Sequence, residues 1–292
     1  MDRKRILYVI NRKSGASEND DVVNEVTNKM VETNHPFEIF LITGEEVSSR
    51  LKDKIADYKP DTVVAAGGDG TINLVASVLS GLNIKLGIIP LGSANGLAGE
   101  LGIPGKIDDA LNLILLGETR PLDVIRINED HISLHLSDVG INARIIKEFE
   151  KEGKRGLKAY FRHFIKELVK PQRSFLCTVT IDGKKHKHHS YMTLIANCNK
   201  YGTGAVINPS GKWDDGIFEI IVIRPYRNWI LKSFIGAFTG TFNLQPHIEV
   251  YKGKSAVINV TPAQELQVDG ETLGKFSELR PVIEPHTVQV IC

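Results

Sequence analysis

A chain of 292 residues, 42% apolar and 24% charged, has enough apolar material for one large core or two modest ones. Its formal charge of +1 gives no global electrostatic case for nucleic-acid binding. No segment reaches the roughly 18 uninterrupted apolar residues of a membrane-crossing helix, so a reaction on lipid would have to run from the membrane surface.

The start, "MDRKRILYVI", is basic but holds only a short apolar run, Ile6 to Ile10, too short for a signal-peptide core. Cys177, Cys198 and Cys292 are far apart and form no CxxC pair. They predict a reduced, intracellular protein with no cysteine-held metal and no thiol nucleophile.

The first 120 residues alternate strand and helix. "RILYVI" predicts a strand, residues 18–34 a helix, "FEIFLIT" a strand and "EEVSSRLKDKIADY" a helix. "DTVVAAG", "TINLVASVLSG", "IKLGIIP", "SANGLAGELG" and "IDDALNLILLGE" continue as strand, helix, strand, helix start and helix. That order predicts right-handed βαβ crossovers and a parallel, Rossmann-like sheet with helices on both faces.

From about residue 122 the grammar changes. "LDVIRIN", "HISLHLSDVG", "FLCTVTID", "SYMTLIANC", "GIFEIIVIR", "SAVINVT" and "ELQVDG" are short and strand-like. Asp182-Gly183, Asp215-Gly216 and Asp269-Gly270 sit at strand ends as hairpin signals. Helices are expected over roughly 142–170 and 227–240. The expected organisation is an α/β domain over 1–122 and an antiparallel β-sandwich over 123–280, with 281–292 free to return to the first.

Four consecutive strand ends carry polar, glycine-rich turns: Asn11 to Gly15 with Ser14, Thr43-Gly44, Gly67 to Thr71, and Gly92-Ser93-Ala94-Asn95. In an open parallel sheet ligands bind at the carboxyl ends of the strands, where helix N-termini attract anions. A nucleotide or polyphosphate site follows. The pattern GxxxxGK[ST] is absent, and GxGxxG fails because Asn73 stands where the third glycine belongs. Asp69 inside "GGDG" also argues against a plain anion cradle. A carboxylate repels phosphate unless a cation lies between them or it takes a proton, and both uses belong to phosphoryl transfer.

"GGDGTIN" with "PLGSAN" resembles the diacylglycerol-kinase-type catalytic domain, a family that includes bacterial lipid kinases and the sphingosine and ceramide kinases. NAD kinases and phosphofructokinases are distant relatives sharing GGDG. "NRKSG", "NCNKYGTGAVINPSGKWDDGIFEIIVI" and "LQVDGE" extend the resemblance over essentially the whole chain. It implies an ATP-binding α/β domain, a C-terminal β-sandwich that takes a lipid substrate, and use of ATP and Mg²⁺ in lipid metabolism. It puts Asn11, Ser14, Gly15, Thr43, Gly67, Gly68, Asp69, Gly70, Thr71, Asn73 and Ser93 at ATP, with Gly92 and Asn95 in the same turn. Asp69 would sit by the γ-phosphate and Mg²⁺. The hydroxyl proton would go to Glu271 or to Asp69 itself. Asp215 with the carbonyl of Ile217 would match a structural Mg²⁺ site, although Lys212 stands near where a further acidic ligand is expected.

The chain departs from the family at Leu74, Gly96 and Arg12, which replace a Glu, an Asp and a Pro. Arg144 falls close to the Asp that sphingosine kinases place near the amine. A soluble-substrate kinase of the NAD-kinase type and a catalytically inactive nucleotide- or lipid-binding member are the alternatives. A basic stripe, Lys158, Arg162, Lys166 and Lys170, reads first as the solvated face of a packed helix and second as the best candidate for contact with anionic lipid. "KKHKHH", residues 184–189, reads as a solvated hairpin with a basic edge. Asp123 and Asp138 read as structural. The expected setting is cytoplasmic with peripheral membrane association and no nucleic-acid partner; a homodimer stays open.

Overall fold

The computed structural model describes residues 3–11, 19–141, 143, 173–201, 205–226, 232–233, 236–237 and 239–292. Two units divide the chain, residues 1–122 with 286–292 and residues 123–285.

The first unit is an α/β domain whose strands follow from short apolar runs. β1 (Ile6–Ile10), β3 (Thr62–Gly67) and β4 (Lys85–Pro90) are almost wholly buried, and β2 (Phe37–Leu41) is half-buried. A strand covered on both faces needs no polar alternation, so these read as continuous apolar stretches. Pairing is parallel throughout: β1 lies between β2 and β3, and β4 follows β3. The crossovers are helices α1 (Asn19–Thr33), α2 (Val47–Tyr58), α3 (Asp69–Leu79), α4 (Gly96–Glu100) and α5 (Ile107–Leu116). One face of the sheet offers Ile6, Tyr8, Ile10, Val64, Ala66 and Ile89, packed with Val22, Val26 and Met30 of α1 and Ala110, Leu111 and Ile114 of α5. Helix α3 packs on β3 and against α2. The last strand of the chain returns to this unit, with Gln289 and Val290 pairing parallel with Lys85 and Leu86 of β4.

The second unit is an antiparallel β sandwich. Its main strands are β7 (Leu136–Gly140), β8 (Phe175–Ile181), β9 (Lys184–Ser190), β10 (Met192–Ala196), β13 (Phe218–Ile223), β14 (Ile248–Gly253), β15 (Ala256–Val268) and β16 (Glu271–Leu279), while β5 (Thr119–Ile127), β6 (His131–Ser133) and β17 (Pro281–Ile291) continue the sheet of β1 to β4 in the order β2-β1-β3-β4-β17-β5-β6. A small pair, β11 (Lys200–Tyr201) and β12 (Ala205–Val206), lies between β10 and β13. The large sheet runs β14-β13-β10-β7-β15-β8-β9, with β16 paired to β15. Its core gathers Val139, Phe175, Cys177, Val179, Ile195, Phe218, Ile220, Val222, Ile258, Val260 and Leu266.

Several details differ from the sequence expectation. "HISLHLSDVG" is two strands, broken at Leu134 and His135, whose amides turn to Asp269. "SAVINVT" and "ELQVDG" are one strand, β15, with a register shift between Asn259 and Gln264 around Pro262. Strands β14 and β16 are additional. Asp215-Gly216 joins no hairpin; it leads into β13. The expected helix over 142–170 and most of the one over 227–240 lie outside the described residues, as do Arg12, Ser14, Gly15, Arg144 and the stripe Lys158, Arg162, Lys166 and Lys170.

Candidate functional site

Because β2, β1, β3 and β4 are parallel neighbours, their carboxyl ends share one edge of the sheet. Asn11, Thr43, Gly67 to Thr71 and Gly92 to Asn95 follow those four ends. The pairing carries on into the turns: Ile42 N donates to Ile10 O at 2.9 Å, Asn11 N to Ala66 O at 3.1 Å and Leu91 N to Gly67 O at 2.9 Å.

The third and fourth turns interlock. A Cβ on Gly67 would fall 2.3 Å from Thr71 Oγ1, so the Thr71 side chain occupies that space. Thr71 Oγ1 accepts from Asn11 Nδ2 at 3.1 Å, tying the first turn to the third. A Cβ on Gly92 would lie 2.6 Å from the Cα of Gly68 and 2.7 Å from Asn95 Oδ1. These glycines therefore let two backbones touch each other. Asn95 closes its own turn: Oδ1 accepts from Gly92 N at 2.8 Å and Nδ2 donates to Gly92 O at 2.9 Å. Its backbone is left-handed (φ 49°), a conformation Asn tolerates better than most residues.

Asp69 stands at the junction. It opens α3, and its carboxylate crosses to α4, where Oδ2 accepts from Gly96 N at 3.1 Å and Oδ1 from Leu97 N at 3.2 Å. Asn95, committed to Gly92, offers α4 no side-chain cap, and Asp69 supplies it from 27 positions away. The sequence reading left Asp69 without a structural purpose; the fold gives it one. Each oxygen takes one of these bonds, so lone pairs remain for a further partner. Gly68, Asp69, Gly70 and Gly92 are half-buried, and Ser93 and Thr43 are exposed. Thr71 N and Ile72 N donate to Gly68 O at 2.9 and 3.1 Å, while the amides of Asp69 and Gly70 ahead of them have no intrahelical acceptor, which favours an anion there. The Thr43 carbonyl accepts from Arg50 Nη1, and the Arg50 guanidinium lies 5.4 Å over the Phe40 ring, so this turn is braced by α2. Asn73 and Leu74 lie half-buried on α3.

The second unit holds the remaining candidates. Asp269 accepts four hydrogen bonds: Oδ1 from Ser133 Oγ at 3.0 Å, His135 N at 3.1 Å and Leu136 N at 2.9 Å, and Oδ2 from Leu134 N at 2.7 Å. Glu271, two residues on, is exposed at the start of β16. Asp123 is fully buried and accepts from Gly216 N at 2.6 Å, and Asp138 accepts from Ala143 N at 3.1 Å and Gln267 Nε2 at 2.5 Å. Asp215 Oδ1 accepts from the Ile217 amide at 3.3 Å. Among the described residues no group of three or more His, Cys, Asp or Glu side chains could hold a metal ion, so Asp215 gains no third acidic ligand there. Sequence reasoning missed the Asp138–Gln267 bond and Asn197, whose Nδ2 donates to Asp123 O at 2.9 Å and Leu134 O at 3.0 Å. Only a polar residue inside an apolar strand pattern hints at either.

A parallel sheet with interlocked glycine turns at its carboxyl edge, followed by an antiparallel β sandwich, defines a kinase-type two-domain protein. Residues 5–127 match the diacylglycerol kinase catalytic domain, and residues 137–292 match the YegS C-terminal NAD kinase beta sandwich-like domain. The chain belongs to this diacylglycerol kinase family. A protein of Cronobacter sakazakii named "Probable lipid kinase YegS-like" is 26% identical over 94% of this chain and 93% of its own length. A namesake from Yersinia enterocolitica is 28% identical over 97% and 95%. The crystal structure of a diacylglycerol kinase from Bacillus anthracis str. Sterne has the same fold, with a TM-score of 0.81 at 22% identity, covering 100% of this chain and 98% of that one. Among the described residues no helix is long and apolar enough to cross a membrane.

Proposed function

We propose that the protein is a lipid kinase that uses ATP and Mg²⁺ to phosphorylate a hydroxyl of a neutral lipid, such as diacylglycerol or a sphingoid-type lipid. The observation that carries this reading is the interlock of the third and fourth turns around Asp69. Its support is the match along both units to a kinase family whose relatives are named for lipid phosphorylation.

Asn11, Ser14, Gly15, Thr43, Gly67, Gly68, Gly70, Thr71, Asn73, Gly92, Ser93 and Asn95 would face the nucleotide. The turn amides and the α3 N-terminus would cradle its phosphates. Magnesium fits here as a partner of the nucleotide: it prefers one or two carboxylates plus phosphates and water, and Asp69 alone supplies that. When bound it would neutralise phosphate charge. Asp69 would be held at its place by the Gly96 and Leu97 amides, so no reorganisation is needed as charge builds. The acceptor hydroxyl oxygen forms the new bond to the γ-phosphorus, the bond to the β,γ-bridging oxygen breaks, ADP departs, and the hydroxyl proton passes to a carboxylate. Exposed Glu271 or Asp69 takes that proton. Asp215 and the Ile217 carbonyl would hold a structural Mg²⁺ only if water completed the shell.

A second reading, a nucleotide-binding member without turnover, is favoured by one observation: Asp69 already works as a helix cap, and Gly96 donates to it where the family places an Asp. The deciding experiment mixes protein, labelled ATP and Mg²⁺ with lipid extract in mixed micelles. Label entering the organic phase supports lipid phosphorylation, and chromatography names the acceptor. Label on a soluble metabolite instead would move the protein to NAD-kinase-type chemistry. Binding of ATP with no transfer would favour the inactive member.

A further inference from the structure

The hairpin of β8 and β9 gathers charge that the rest of the molecule does not balance. Residues 173–190 hold one arginine and three lysines against one aspartate, a formal +3, while the whole chain sums to +1. Pairing fixes where these side chains go. Phe175, Cys177, Val179 and Ile181 of β8 are buried in the sandwich core. Their partners across the ladder, Ser190, His188, His186 and Lys184, share that side. Lys185, Lys187 and His189 therefore stand on the opposite face, opposite Thr180, Thr178 and Leu176. All three are exposed, and Leu176 among them is 40% exposed. They form a row with a spacing of about 7 Å, two strand residues. Lys184 at the turn and Arg173 ahead of β8 are exposed beside it.

Three lysines elsewhere are paired, Lys29 with Asp108, Lys54 with Glu38 and Lys252 with Glu219. Among the described residues Arg173, Lys184, Lys185 and Lys187 have no carboxylate partner. The ordinary reason for lysines on an end strand is to discourage pairing with another chain. Side-chain contacts also tie this end strand to the rest of the sheet. On the inner side, His188 Nε2 and the Tyr251 hydroxyl share a 2.7 Å hydrogen bond, and the His186 ring lies 4.5 Å from the Tyr251 ring. Tyr251 belongs to β14, the strand at the other end of the same sheet, so side chains close the gap between the two end strands. The outward row is left as a flat cationic face with one apolar side chain in it.

We propose that this face, Lys185, Lys187 and His189 around Leu176, with exposed Lys184 and Arg173 beside it, docks on an anionic lipid surface. Charge complementarity argues for that occupant: the row is flat, regularly spaced and unopposed, and one leucine can enter the headgroup region while the lysines stay with the anionic groups. The motive rests on the lipid-acceptor reading, but the test uses neither ATP nor turnover, so the two fail separately.

The test is sedimentation of the full chain with vesicles of phosphatidylcholine, with and without phosphatidylglycerol. Wild type is expected to bind only the anionic vesicles and to come off as salt is raised. K185Q/K187Q is expected to bind about 30-fold more weakly, at ~1 kcal/mol per lysine near the surface. The charge-matched control K52Q/K85Q, two exposed lysines of the first unit, should bind as wild type does. Circular dichroism would verify folding of each, and the salt dependence of wild type stands should a variant not fold. Equal loss in both variants, equal binding to neutral vesicles, absence of vesicle binding, or preference for an RNA or DNA probe over vesicles would each overturn the proposal.

Discussion

Two aspartates, each followed by glycine, teach opposite lessons. Asp69 and Asp269 both stand where a strand gives way to a turn, and both accept backbone amides. Asp269 accepts four bonds, the shortest at 2.7 Å, from a run of four successive residues. Asp69 accepts two, at 3.1 and 3.2 Å, from the first turn of α4. The first carboxylate is saturated and fastens the sandwich. The second is positioned and keeps capacity, at the edge where four parallel strands end. Dipeptide identity does not separate these two carboxylates; the count of donors already spent on each does.

Four results would break or sharpen this contrast. Asp269→Ala should cost about 3 kcal/mol or more, since it strands three amides and a buried hydroxyl. Urea midpoints measure this, and a change below ~1 kcal/mol would refute the fastening role. Gly92→Ala should cost about 1–3 kcal/mol by forcing the two turns apart. Nucleotide affinity, followed by fluorescence titration, should fall with it. Asp69→Asn should stay within ~1 kcal/mol of wild type in the same unfolding assay, because the amide oxygen can still cap one α4 amide.

The smallest effect sets the pH at which to run these comparisons. Burial holds His188 and His247 below the usual histidine range, with Arg224 adding to it at both, His186 at His188 and Lys232 at His247; Glu249 opposes the shift at His188. The unfolded chain therefore takes up these protons first. Stability is full above roughly pH 6.5 and declines as the pH drops toward the lower folded-state values. Denaturation midpoints at pH 7.5 and 5.5, values taken as roughly one unit either side of the free histidine range, should differ less in His188→Gln/His247→Gln than in wild type. An unchanged difference would discard the two histidines as the cause.

The α/β half was legible because strands buried on both faces, such as β3, read as unbroken apolar runs ended by glycine. The sandwich was less so. Strand β16 is mostly exposed and half-exposed along its length, so it carries no alternation to read, and Pro262 with its exposed neighbours split β15 into two apparent strands. The turns themselves are visible in the sequence, where they read as a nucleotide or polyphosphate site. That Gly68 and Gly92 are packed against each other, and that Asp69 caps a helix 27 residues later, are long-range facts with no local pattern. The one hint was "SANGL", a helix start whose Asn is already engaged by its own turn.

The most direct test of the account is phosphoryl transfer from labelled ATP to lipid by Asp69→Asn, normalised to folded protein. The account predicts a fall on the order of 10²-fold or more with the unfolding midpoint retained. Turnover near the wild-type rate in a folded Asp69→Asn protein would leave Asp69 a helix cap and nothing else, and would contradict the reading of its spare capacity.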